Sequence, residues 1–326
     1  MSLIIVLSIF CFLLNFEIIN AQLMSCSYRN DISREYICDL MIQNINGVNN
    51  FTRVSGAHLI DKNNDDVQQI LRATGSKTIN IPSIICETFQ YATLINLQQL
   101  EIQKVDEYSF KSCKNLTYLN LKDNKITKIN ENSFSENLKL QTLSLQNNQL
   151  TTLPENLFIN QQNLKELDLG TNRIKQLKIK WFQNLQNLNI LLLDANQMEE
   201  LPKDTFSSLT SLSSIWISSN NLKVIHSDSF GFLPNLTDVY LSQNQINAID
   251  EGFTAYTGVQ RLDMIGNLCA NDFIEDNSSS IQLMRRALQT CFENHKVLHG
   301  EYVNWCKTIK PVHGNFWRKL LSYFSK

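Results

Sequence analysis

Between Leu116 and Gly258 the apolar residues of this chain fall into columns. Lines started at Leu116, Leu140, Leu164, Leu188, Leu212 and Leu236 follow one another at 24 residues, and the next, at Val259, comes after 23. Each reads L-x-x-L-x-L-x-x-N-x-L, with a further apolar residue three positions on and a phenylalanine near position 19. The line from Leu140 is complete: Leu140, Leu143, Leu145, Asn148, Leu150, Leu153, Pro154 and Phe158. Within a line, Leu119 and Leu121 flank the polar Asn120, the in-and-out alternation of a short strand. Strands stacked at this period form a parallel sheet with neighbours about 4.8 Å apart. No line can bury its own leucines, so the array is stable only as a stack with closed ends.

Two further columns complete the coil. Asn124, Asn148, Asn172, Asn196, Asn220, Asn244 and Asn267 recur at the end of each strand. An amide has both donor and acceptor, so each can bond turn backbone in its own coil and in the next. Phe110, Phe134, Phe158, Phe182, Phe206, Phe230 and Phe253 predict an apolar spine on the opposite side. A fixed period of this length with this spacing is the mark of a leucine-rich repeat. The expected fold is an α/β solenoid: a horseshoe whose parallel sheet lines the concave face, with disulfide-bonded caps.

The flanks divide as follows. Leu3 to Leu14 is a nearly unbroken apolar run, followed by Ile19-Asn20-Ala21, which predicts a signal peptide over 1–21 and secretion. Residues 22–93 read as an N-terminal cap, 94–268 as the repeat array, 269–291 as a C-terminal cap and 292–326 as a basic tail. Leu97, Leu100 and Ile102 open a first repeat that reads as five residues short and lacks the asparagine. Oxidising surroundings favour disulfides. Cys26 pairs with Cys38 by proximity, Cys86 with Cys113 across the first repeat, and Cys269 with Cys291 at the far end. Cys306 is left as the odd thiol, a candidate for an intermolecular bridge.

With the leucines committed to the core, the outward strand positions decide function. The central one reads Asn120, Ser144, Asp168, Leu192, Trp216, Tyr240 and Asp263 along the array. Leu192, Trp216 and Tyr240 are consecutive, and in-register strands set them side by side on the concave face, with Ile190 extending the patch. Exposed Trp and Tyr are typical of binding hot spots. The three could also simply stack on one another, or pack against the C-terminal segment. Asp168, Glu166 and Lys165 on one side, and Asp238, Asp263 and Arg261 on the other, form a polar rim. The expected ligand is a protein or a glycan.

Composition narrows the remaining classes. Net charge is −2, which gives no case for nucleic acid binding. Residues 22–291 carry 23 Lys or Arg against 28 Asp or Glu, whereas the tail carries six against Glu293 and Glu301. Phe316, Trp317, Leu320, Leu321 and Phe324 with Arg318, Lys319 and Lys326 fit a short basic amphipathic helix, which suits a membrane surface and, ahead of that, packing on the array or on a partner chain. No second apolar stretch has the length of a membrane span. No C-x-x-C, H-E-x-x-H, G-x-S-x-G or phosphate loop occurs, so no metal, cofactor or enzymatic activity is expected. Sequons stand at Asn50, Asn115, Asn235 and Asn277, the middle two in the same column just before a strand.

The 24-residue lines from 116 to 258 and the Gly266-Asn267-Leu268-Cys269 cap opening resemble those of secreted insect leucine-rich repeat proteins, among them mosquito immune proteins and chaoptin- and Toll-like ectodomains. The resemblance implies a non-enzymatic binder of proteins or microbial surfaces, with innate immunity as the expected role. It also implies a disulfide-linked homo- or heterodimer through Cys306. A long C-terminal coiled coil of the immune members is missing, since Ile281 to Leu298 is too short. An adhesive, developmental or matrix role, or a non-catalytic subunit of an extracellular complex, stays open.

Overall fold

The structure, a computed structural model, describes residues 23–30, 35–43, 54–59, 61–275 and 281–298. The expected signal peptide, Asn50, Asn277, Cys306 and the tail from residue 299 lie outside them. The spine of the molecule is one 12-stranded sheet whose spatial order is the order of the chain. Its strands are β1 (Leu23–Asn30), β2 (Tyr36–Gln43), β3 (Val67–Arg72), β4 (Leu94–Asn96), β5 (Tyr118–Asn120) and β6 (Thr142–Ser144). They continue as β7 (Glu166–Asp168), β8 (Ile190–Leu192), β9 (Ser214–Trp216), β10 (Asp238–Tyr240), β11 (Arg261–Asp263) and β12 (Phe273–Glu275). From β2 to β11 every pairing is parallel, and an antiparallel strand, β1 or β12, closes each end.

The columns of the sequence become the layers of the core. Leu119, Leu143, Leu167, Leu191, Ile215 and Val239 are buried beneath the sheet, and the phenylalanines from Phe110 to Phe253 are buried on the far side. Phe182, Phe206 and Phe230 stand in a row with ring centres 5.6 Å apart. Each leucine so buried contributes about 2 kcal/mol of transfer free energy. Trp181 fills the place that Leu157 holds one coil earlier and packs against Phe182.

The asparagine column holds the turns. Asn148 Nδ2 donates to Leu145 O in its own coil and to Leu121 O in the coil before, while Oδ1 accepts from the Ile126 amide of that preceding coil. The reach is therefore backward along the chain, not forward. The residue before each asparagine has a left-handed backbone: Asp123, Asn147, Thr171, Ala195, Ser219 and Gln243 all have φ between 51° and 56°. That conformation turns the chain out of the strand and aims the next amide inward.

The first repeat is not shortened. Ile95 pairs with Leu119 in register, so Ala92 occupies the Leu116 column and the coil has full length. Leu100 stands where the other coils have asparagine. The Asn124 carbonyl oxygen of the next coil accepts from both Leu100 N and Ile102 N, which satisfies the turn from outside. Leu97 therefore falls in the column of Leu121, the third leucine of its line and not the first.

The ends are closed covalently and by packing. Cys26–Cys38, Cys86–Cys113 and Cys269–Cys291 are disulfides, the pairs expected from the sequence. Helix α1 (Ile84–Thr88) presents Ile85 and Cys86 to the core. In the polar stretch before β3, Asn64–Asp66 form a 3-10 turn closed by a capping box between Asn63 and Asp66. At the far end, α2 (Ile281–Ala287) and α3 (Gln289–Leu298) bury Met284, Leu288, Cys291 and Phe292 over the last coils. No helix among the described residues is long and apolar enough to cross a membrane.

Candidate functional site

The parallel register carries one row of side chains across the concave wall. Asp168 pairs with Leu192, Leu192 with Trp216, Trp216 with Tyr240, and Tyr240 with Asp263. The antiparallel closing strand adds Phe273 directly opposite Asp263. Beside it runs Glu166, Ile190, Ser214, Asp238, Arg261 and Glu275.

Trp216 and Tyr240 form a tilted ring pair with centroids 4.2 Å apart. The Trp216 indole Nε1 donates to Ser214 Oγ at 2.8 Å, which fixes the ring's orientation. Self-stacking does not consume the patch: Trp216 remains 39% exposed, and Phe273 46%. Leu192, Ile190 and Tyr240 are half-buried. Phe273 and its neighbours escape periodicity because the strand runs backward after the cap turn and belongs to no 24-residue line. The alternation Phe273-Ile274-Glu275 was the available signal.

The rim is acidic. Asp168 accepts from Ser144 Oγ and from the Gly170 amide. Burial nevertheless pushes its carboxyl upward against those bonds. Asp194, two residues past Leu192, accepts the Ser218 amide at 2.7 Å. Burial, with Asp168 adding to it, raises Asp194 to about 6. Arg261 spans Asp238 at 2.9 Å and Glu275 at 3.2 Å. Asp263 accepts the Ile265 amide. Among the described residues no three His, Cys, Asp or Glu side chains are grouped to hold a metal ion.

A second feature lies away from this wall. An open groove of about 580 Å³ runs beside the two-stranded ladder of Val224–Ile225 and Ala248–Ile249. Lys175, Glu199, Glu200, Lys223 and His226 line it, and α3 packs next to it through Asn294 to Asn247 and His295 to His226. The sequons Asn115 and Asn235 lie on the edge where the chain enters the strands; Asn115 Oδ1 accepts from Lys139 Nζ, and Asn235 is exposed.

Comparison with known proteins settles the family. A BspA type leucine-rich repeat region, in six copies, matches residues 80–194, and a second leucine-rich repeat family matches residues 210–268. Together they span more than half of the chain. This is a leucine-rich repeat protein. No curated protein sequence matches it significantly. Among solved structures this leucine-rich repeat protein is similar to a TLR13–ssRNA13 complex, at 25% identity and a TM-score of 0.60, over 64% of this chain and 30% of that one. It is also similar to the APL1 leucine-rich repeat domain, at 21% identity and a TM-score of 0.57, over 75% of this chain and 64% of that one. A Toll–Spatzle complex from Drosophila matches at 20% identity and a TM-score of 0.42, over 69% of this chain and 35% of that one. The chain thus spans between about a third and two-thirds of the length of the structures it matches. The families that match are repeat families built for binding, and no catalytic family is among them.

Proposed function

We propose that this leucine-rich repeat protein is a secreted, non-enzymatic recognition protein of innate immunity. It binds a protein or a microbial-surface ligand on its concave wall. The observation that carries the reading is the exposed Trp216–Tyr240 pair, oriented by Ser214 and flanked by Leu192, Ile190, Asp168 and Asp263. A rigid aromatic pair ringed by polar groups is the arrangement of a binding hot spot. The fold likeness to the TLR13 chain and to the APL1 leucine-rich repeat domain is in keeping with a repeat array that binds a partner. A nucleic acid ligand, as the TLR13 complex has, is disfavoured here because the carboxylates on the wall repel phosphate.

The test is retention of the purified full chain on washed bacterial cells and insoluble peptidoglycan, and capture of soluble proteins from extracellular fluid. Wild type is set against the double variant Trp216→Ala, Tyr240→Ala. Loss of binding by at least about tenfold with an unchanged circular dichroism spectrum supports the site. Equal binding by the two rejects it. Secretion predicts a mature N-terminus at Gln22. Glycosylation at Asn50, Asn115, Asn235 or Asn277 predicts a mobility shift on amidase treatment. A bridge at Cys306 predicts a dimer on non-reducing gels that Cys306→Ser abolishes.

A further inference from the structure

The concave patch is apolar at its centre and anionic around it. Glu166, Asp168, Asp194, Asp238, Asp263 and Glu275 lie on the strands and turns either side of the Trp216 coil. Lys122, Lys165 and Arg261 stand against them, and Arg261 is already held between Asp238 and Glu275. An aromatic pair set in such a field favours an ammonium or guanidinium group over the rings, with apolar side chains beside it. The complementary occupant is a basic polypeptide segment that carries aromatic residues.

This chain contains one. Residues 314–326 read Gly-Asn-Phe-Trp-Arg-Lys-Leu-Leu-Ser-Tyr-Phe-Ser-Lys. From residue 299 onward, Lys307, Lys310, Arg318, Lys319 and Lys326 stand against Glu301 alone, while residues 22–291 have an excess of acid. Helix α3 delivers the chain in a useful direction. It starts over the last coil, with Cys291 bonded to Cys269, and runs back along the stack through Asn294 at Asn247 to His295 at His226. It therefore ends at Leu298 beside the coils whose opposite wall carries Trp216 and Tyr240. The 15 residues from 299 to 313 reach up to about 50 Å when extended. That is several times the roughly 10 Å between packed layers.

We propose that segment 314–326 of this same chain lies across the Leu192–Trp216–Tyr240–Phe273 row and covers it until a partner displaces it. The proposal rests on the concave patch being the recognition site. In this arrangement Arg318 and Lys319 meet the Asp238 and Asp263 side of the rings, and Phe316, Trp317 and Leu320 fill the apolar centre. Ligand binding and tail release then compete, so a partner must outbid an intramolecular contact at high effective concentration.

Zero-length carbodiimide cross-linking of the full chain tests it, with equal amounts of unlabelled and nitrogen-15-labelled protein mixed before reaction. The expected products join Lys310, Lys319 or Lys326 to Asp168, Asp238, Asp263 or Glu275 within one isotopic species. Their yield should fall about tenfold both in Trp216→Ala, Tyr240→Ala and in Phe316→Ala, Trp317→Ala. The second variant leaves the repeat array untouched. Links to Glu199, Glu200 or Asp228 beside the back groove would overturn the proposal, as would mixed-isotope products, no links at all, or a yield indifferent to either variant. Ligand retention measured on the same samples separates the two readings. Lost retention in Trp216→Ala, Tyr240→Ala without tail links sinks only the tail docking. Tail links with retention unchanged sink the recognition site instead.

Discussion

Asn196 reaches back one coil to Leu169: its Nδ2 donates to the Leu169 carbonyl at 3.0 Å and also to Leu193 O in its own turn. Its Oδ1 accepts the Ile174 amide at 3.0 Å. One side chain thus satisfies backbone groups of two coils in a place water does not reach, and the same geometry repeats from Asn124 to Asn267. Removing it leaves several buried polar groups unpaired, each worth about 1–3 kcal/mol. Asn196→Ala is expected to destabilise the protein by about 3 kcal/mol in urea unfolding. A loss below about 0.5 kcal/mol would show that the ladder is ornamental.

The residue before each asparagine pays for the turn with left-handed backbone. Thr171 has φ 51° and is β-branched, which makes it the least suited of the column, whereas Asn147 holds φ 52° one coil earlier. A β-branched side chain in this region is strained, and asparagine tolerates it. Thr171→Asn should therefore raise stability by about 1 kcal/mol, or roughly 2 °C in melting temperature. Thr171 is exposed, so no packing is lost. A lower melting temperature would contradict the account.

These two columns explain why the array was legible in the sequence and its edges were not. A residue such as Leu143 or Asn148 meets the same neighbours in every coil, so its type is repeated and the period exposes it. Ala92 and Leu100 belong to the same columns, but they face the cap on one side and are free to differ, so the first coil read as truncated. Phe273 sits on the concave wall through a strand of reversed direction, which no period marks. Asp194 gained its importance from burial beside Asp168, a fact of three dimensions that spacing does not state. The row of Leu192, Trp216 and Tyr240 followed from register alone.

The pH dependence turns on Asp194. Its carboxyl is raised from the ordinary 3.8 to about 6, chiefly by burial. As pH rises from about 4 to 6 the unfolded chain gives up this proton first and the folded protein retains it, so the folded state binds more protons in that window. Stability from this group is full below the unfolded value and declines as pH climbs through 6. Asp194→Asn keeps an acceptor for the Ser218 amide without the charge. It should melt higher than wild type at pH 7.5, with the two converging below pH 4. Parallel curves across that range would rule the mechanism out.

The C-terminal cap should come apart locally. Cys269–Cys291 closes a loop of 22 residues and fastens α3 over Ala248 and Ile249. A loop of this size contributes about 3 kcal/mol. Cys291→Ala, with Cys269→Ala to avoid a stray thiol, is expected to speed amide exchange at Leu288 and Phe292 by at least tenfold (~1.4 kcal/mol). Exchange at Leu143 and Leu167 in the central coils should hold, because their neighbours on both sides remain. Uniform acceleration across the array would mean that the cap controls the whole stack.

Phe273 and Ile274 are adjacent and face opposite ways, which separates binding from stability. Phe273 lies in the concave row opposite Asp263 and is 46% exposed. Ile274 packs against the hydrophobic core. Phe273→Ala removes exposed apolar area from the same row, two strands from Tyr240 across Asp263, so ligand affinity should drop about tenfold, mainly through faster dissociation, while the melting temperature stays within about 1 °C. Ile274→Ala should do the reverse, costing about 2 kcal/mol of stability with binding unchanged at temperatures where the protein is folded. If the two substitutions exchange these effects, the closing strand runs with the opposite face toward the ligand and the row ends at Asp263.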